Sequence, residues 1–195
     1  ATMFANPSSK PVFMPVQADN IPAEIVNLKR WLCWKWLWNP NKSGGAGGWD
    51  KPPVNPRTLG NGSSTNSKTW TDFNFAIQVV KRRGADGIGF ALGKVNEEEN
   101  YAGIDFDHVR DASGTIAPWA AYFLGILDSY TEVSPSGTGV KVIVKGKLPR
   151  ASRKQFPNED GSKVEMYDQG RYFTVTGNVV MDFRQINERT GILAD

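Results

Sequence analysis

The sequence predicts an α+β chain, mixed in its elements and built around a large sheet, and three observations carry that prediction. Residues 101–107, 140–145 and 163–167 alternate their side chains with the two-residue period of strands. Residues 73–80 and 118–127 place apolar side chains at helical spacing. A chain of 195 residues with 39% hydrophobic content is long enough to bury a core as one domain or one compact bilobal unit.

In chain order, residues 1–20 carry Pro7, Pro11 and Pro15 with no sustained period, and read as an extended N-terminal arm or a cloning remnant. A first helix is expected from near Asn20, with Pro22 in its first turn and Ile21, Ile25, Leu28 and Leu32 along one face. Residues 31–38 change period and predict a strand with Leu32, Trp34, Trp36 and Trp38 on one side, an indole-rich face that reads first as core. From 39 to 68 the text is rich in Gly, Pro, Ser and Asn, which predicts a long loop.

A second helix follows, capped by Thr69 or Thr71, burying Phe73, Ile77 and Val80. It ends on Lys81, Arg82 and Arg83, which complement the helix dipole before Gly84. Strands are predicted at 88–92, 101–107, 130–134, 140–145, 163–167 and 171–176, and a third helix at 118–127. After Asn178 the pattern weakens.

Composition narrows the chemistry. The net charge of +3 permits a phosphate partner without demanding one. A single cysteine, Cys33, excludes an intramolecular disulfide and a multi-cysteine zinc site, and a single histidine, His108, argues against a histidine-based one. Hard, oxygen-bound metals are left. No run approaches the roughly 18 to 20 apolar residues needed to span a bilayer, and no charged segment with an apolar run opens the chain. A soluble, cytoplasmic protein without a membrane partner is expected.

Within Tyr101-Ala102-Gly103-Ile104-Asp105-Phe106-Asp107, alternation sends Ala102, Ile104 and Phe106 to one face and Gly103, Asp105 and Asp107 to the other. Residues two apart on a strand have Cβ atoms about 6.5 to 7 Å apart. Carboxylates so placed suit two divalent ions spaced about 3.5 to 4 Å, and their oxygens favour Mg²⁺ or Mn²⁺. Alone, Asp-x-Asp is a common strand end; its company gives it weight.

The first companion is Ser134-Pro135-Ser136-Gly137-Thr138-Gly139, a turn whose amides and hydroxyls can cradle phosphate oxygens. On the strand after it, Lys141 faces away from Val140, Val142 and Val144. The second companion is Val164-Glu165-Met166-Tyr167-Asp168, where Glu165 lies within a strand and is preferred as the third acid, with Asp168 in reserve. His108 follows the acid pair and is turned by alternation to the opposite face, which favours a structural role.

At these residues the chain resembles the primase-polymerase domain of the archaeo-eukaryotic primase superfamily, in the versions carried by phages, plasmids and integrated elements. The likeness runs over about 31–177 and rests on three motifs in order: the Asp105/Asp107 pair, the Ser134 to Gly139 turn, and Glu165 with Arg171-Tyr172-Phe173-Thr174-Val175-Thr176-Gly177. Where that family commonly has a histidine two residues after the last glycine of the turn, this chain has Lys141, which keeps a positive charge and loses the ring.

The resemblance implies a small α/β subdomain joined to an RNA-recognition-like sheet, with the active site in the groove between them. It implies DNA primase or DNA-directed DNA polymerase activity, with Asp105, Asp107 and Glu165 holding two Mg²⁺ or Mn²⁺ ions. Ser134, Ser136, Gly137, Thr138, Gly139, Lys141, Arg171 and Lys51 would bind the nucleotide, and dNTPs or NTPs and a single-stranded or primed DNA template are the implied partners. Arg150, Arg153, Lys154 and the tryptophan-rich segment are candidates for template contact.

On this reading residues 21–180 form the catalytic domain and 181–195 a tail or the start of a linker, with a helicase region of the same parent protein as a further partner. Two other functions compete: a non-catalytic nucleic-acid-binding replication module of the same fold, and a metal-dependent nuclease. The three acids oppose the first, and the triphosphate-binding turn opposes the second.

Overall fold

The computed structural model describes residues 9–149 and 154–194. Two antiparallel sheets and a small hairpin hold the chain together. The larger sheet has the order β10(Lys154–Pro157), β11(Lys163–Tyr167), β7(Asn100–Asp107), β9(Val140–Lys145), β8(Thr131–Val133), with β6(Gly93–Lys94) also paired to β7. The smaller has the order β12(Tyr172–Val175), β5(Gly87–Ala91), β1(Trp31–Trp34), β4(Pro53–Val54). The hairpin joins β2(Leu37–Asn39) to β3(Gly48–Asp50).

Each face of the larger sheet has its own cover. Ala102, Ile104 and Phe106 of β7 and Val140, Val142 and Val144 of β9 share one face and form a core with helix α3(Pro118–Leu127). Proline at the first turn of α3 gives up an N–H that had no helical partner. Ala120, Leu124 and Leu127, at helical spacing, are buried. On the other face, Tyr101, Ile143 and Tyr167 join Ile88, Phe90 and Phe173 of the smaller sheet in a second core. That face of β7 is covered near Tyr101 and Gly103, and farther along the strand it carries Asp105 and Asp107.

Several expected elements differ. The helix expected from Asn20 is one turn, α1(Ala23–Val26), behind a 3₁₀ turn at Ala18–Asn20, and Pro22 takes the capping position. Residues 31–38 split into β1 and β2, because the chain leaves the sheet where Trp36 N donates to the Asp86 carboxylate at 2.8 Å. Helix α2(Phe73–Lys81) is capped by Asp72, whose carboxylate accepts from Phe75 N at 2.9 Å, rather than by Thr69 or Thr71. Arg82 and Arg83 lie just beyond it. The long loop contains β3 and β4, and β4 extends the smaller sheet beside β1.

Both ends of the described chain pack on these sheets. Met14 N donates to Pro135 O at 2.9 Å and Gln17 N to Thr176 O at 2.7 Å. Near the other end, Lys145 N and O bond Asn187 O and Arg189 N, and Leu193 is buried in the α3 core. Among the described residues, no helix is long and apolar enough to cross a membrane.

Candidate active site

Strand register assembles a charged row across one face of the larger sheet. Glu165 of β11 is paired with Asp105 of β7, Asp105 with Lys141 of β9, and Lys141 with Glu132 of β8. Directly opposed residues of antiparallel strands project to the same side, so these four groups stand together. Asp107, two residues along β7, shares that face. Asp105, Asp107 and Glu165 each present an oxygen within 4.8 Å of the others.

Among the described residues, two lysines sit in the cluster. Lys141 Nζ lies 2.9 Å from Asp105 Oδ2 and 4.4 Å from the centre of the Phe173 ring. Lys163 Nζ lies 3.4 Å from Asp107 Oδ2 and 3.3 Å from Glu165 Oε1. Burial raises the pKa of Asp105 above the usual aspartate range, against the pull of Lys141 and with the repulsion of Asp107 adding to it. Burial works against the charge of Lys163, yet Asp107 and Glu165 together lift its pKa above the ordinary lysine value.

The donor set fits a hard divalent cation. It consists of carboxylate oxygens, and among the described residues Asp105 Oδ1 is buried with no hydrogen-bond partner. A buried anionic oxygen without a donor is costly, and a cation would satisfy it.

Lys51 reaches the same region from the segment after β3. Its Nζ stands 4.7 Å from the centre of the Trp36 ring. Burial lowers its pKa and Lys141 adds to the effect, while Asp105 and Asp107 oppose it. Tyr172 donates its hydroxyl to Lys51 O, tying this segment to β12.

In the turn before β9, Ser134 Oγ accepts from Gly139 N at 3.2 Å, and the Gly137 amide donates to Ser134 O at 2.9 Å. The Ser134, Ser136 and Thr138 hydroxyls form a chain with 3.0 Å spacings. Two of the expected phosphate donors, the amides of Gly137 and Gly139, are thus used inside the turn, and the exposed hydroxyls of Ser136 and Thr138 face outward. Gly139 is required by close approach, since a Cβ there would meet Phe106 O at 2.7 Å.

Arg171 is exposed, its guanidinium 5.0 Å from the centre of the Tyr167 ring. Asp168 is buried and its carboxylate accepts from Leu148 N at 2.9 Å, which gives it a structural task away from the three acids. His108 is exposed at the end of β7 with φ 56°, a left-handed conformation in which strand alternation no longer fixes its direction. Arg150 and Arg153 lie outside the described residues, as does the Lys154 side chain. Of the tryptophans, Trp31, Trp34 and Trp36 are core, whereas Trp38 and Trp49 are half-buried and meet edge to face across the β2–β3 hairpin.

Sequence reasoning did not single out Lys163 or Glu132. Lys163 was within reach: it stands two residues before Glu165 on a predicted strand and so shares its face. Glu132 needed the pairing of β8 with β9. Its fully buried carboxylate accepts from Thr176 N at 2.8 Å, from Gly177 N at 2.9 Å and from the Tyr130 hydroxyl at 2.7 Å.

No protein-family profile matches this chain. It is similar to a DNA primase-polymerase of Nitratiruptor phage NrS-1, with 39% identity over 160 residues. The aligned stretch is 82% of this chain and 21% of the phage protein, so the chain spans about a fifth of the curated relative it matches. By that similarity, the chain belongs with the primase-polymerase domains of phage type.

Proposed function

We propose that this chain is the nucleotidyltransferase domain of a DNA primase-polymerase acting in the replication of a phage or related mobile element. The observation that carries the reading is the convergence of Asp105, Asp107 and Glu165 on one sheet face, with Lys141, Lys163 and Lys51 around them. Acids alone would repel a triphosphate; acids that hold divalent cations, with lysines beside them, suit one.

In this proposal residues 21–180 are the catalytic unit, 1–20 an extended arm or cloning remnant, and 181–195 a tail or the start of a linker. The smaller sheet with α2 is the α/β subdomain of an archaeo-eukaryotic primase fold, and the larger sheet is its RNA-recognition-like part. Asp105, Asp107 and Glu165 would hold two Mg²⁺ or Mn²⁺ ions, which when bound would supply charge neutralisation and activation of the attacking oxygen. A primer 3′-hydroxyl attacks the α-phosphorus of a dNTP or NTP, the new phosphodiester bond forms, and pyrophosphate leaves.

Ser136, Thr138, Lys141, Lys51 and Arg171 receive the phosphates, and Ser134, Gly137 and Gly139 shape the turn that presents them. A single-stranded or primed DNA template is the partner, and a helicase region of the same parent protein is a further one.

Template-dependent incorporation of labelled dNTPs and NTPs, with Mg²⁺ or Mn²⁺ and with or without a primer, tests this. Asp105→Ala should reduce product by at least about a hundredfold, the scale of losing a group essential to charge stabilisation. Lanes without primer decide whether chains are started de novo. An intact chain that binds nucleotide and makes no product would instead support a non-catalytic replication module.

A further inference from the structure

Lys163 stands inside the acidic cluster, and the proposed reaction gives it no task beyond its charge. Its ammonium shares the Asp107 and Glu165 oxygens at 3.4 and 3.3 Å. Lys141 holds Asp105 in a comparable way at 2.9 Å, but the two lysines differ in freedom. The Lys141 side chain is 10% exposed and lies against Phe173, whereas that of Lys163 is 36% exposed. A long, flexible stem that is more than a third exposed lets the Lys163 ammonium leave without disturbing the core.

We propose that Lys163 is a displaceable counter-ion. It neutralises Asp107 and Glu165 while no metal is bound, gives up those oxygens to a divalent cation, and then pairs with the phosphates of the incoming nucleotide. The proposal rests on the reading of this cluster as a metal-dependent nucleotide site. Its physical basis is competition: a carboxylate oxygen held by an ammonium is less available to a metal, and two cations crowded on the same oxygens repel. A triphosphate relieves that crowding by giving the ammonium a new partner. Metal and nucleotide then strengthen each other's binding by the same factor.

The test is Mn²⁺ binding followed by electron paramagnetic resonance on the full chain, with and without a non-hydrolysable dNTP analogue. Lys163→Met should bind Mn²⁺ alone roughly three- to tenfold more tightly, the scale of losing a partly exposed competing charge. It should also gain less from the nucleotide than the wild type does, while Lys163→Arg keeps the wild-type pattern. Lys163→Gln serves as the second neutral variant should Lys163→Met fail to fold by circular dichroism.

Mn²⁺ binding that is unchanged or weaker in a folded neutral variant overturns the proposal. So does tighter Mn²⁺ binding with undiminished nucleotide coupling, since the ammonium would not then be reaching the phosphates. A wild-type chain that binds no Mn²⁺, and is indifferent to Asp105→Ala, is a separate failure: it removes the metal site itself, and the counter-ion role with it.

Discussion

At the scale of the residue, the site balances buried charges against one another. Asp105 is nearly buried, one oxygen is held by Lys141 and the other has no donor among the described residues. Lys141→Met would strip the first oxygen too and leave a buried carboxylate without its partner. Thermal unfolding without metal should show a loss of about 2 to 4 kcal/mol, and Mn²⁺ should restore more stability to the variant than it adds to the wild type. Asp105, Asp107, Glu165 and Lys141 were legible because alternation fixes which face each occupies once a strand is recognised. That Lys51 comes to the same place was suggested only by family resemblance, since it depends on the path of a segment between β3 and β4 that no local pattern encodes.

Elements were legible where local signals agreed. Helix α3 and strands β9 and β11 match their expected bounds, each with a clean period and marked ends. Strands β3 and β4 escaped because they lie in glycine- and proline-rich text and owe their pairing to β2 and β1, distant information that a local pattern lacks. The contact between the sheets was equally hidden. Gly103 of β7 faces Phe173 of β12, and a Cβ at Gly103 would lie 2.3 Å from two Phe173 ring carbons. Gly103→Ala should therefore destabilise by about 1 to 3 kcal/mol in urea unfolding, by overpacking. Phe173 also supports the Lys141 ammonium, so a displaced ring should weaken nucleotide binding as well. Adding Phe173→Leu to Gly103→Ala should recover part of the stability and little of the binding.

For the whole molecule, the question is what fixes one sheet against the other at the end where the charged row lies. Glu132 does so: rooted in β8 of the larger sheet, it accepts the amides of Thr176 and Gly177, which continue β12 of the smaller. Burial pushes its pKa up to about 7 from the usual 4.5, although Tyr130 and the two amides pull it down. Because the folded value lies above the unfolded one, the native state holds this proton more tightly. The stability that Glu132 contributes is fully present below pH 4.5 and is lost as pH rises through about 7. A shift of that size corresponds to a few kcal/mol, about 1.4 per pH unit at its steepest. Urea unfolding of wild type and Glu132→Gln between pH 4.5 and 8 isolates this residue, since every other titrating group is common to both. The wild type should lose stability relative to the variant as pH rises, and the difference should level off above about pH 7. Parallel curves would instead mean that the three donors keep the carboxylate ionised throughout, so that the sheets are joined by a permanent anion.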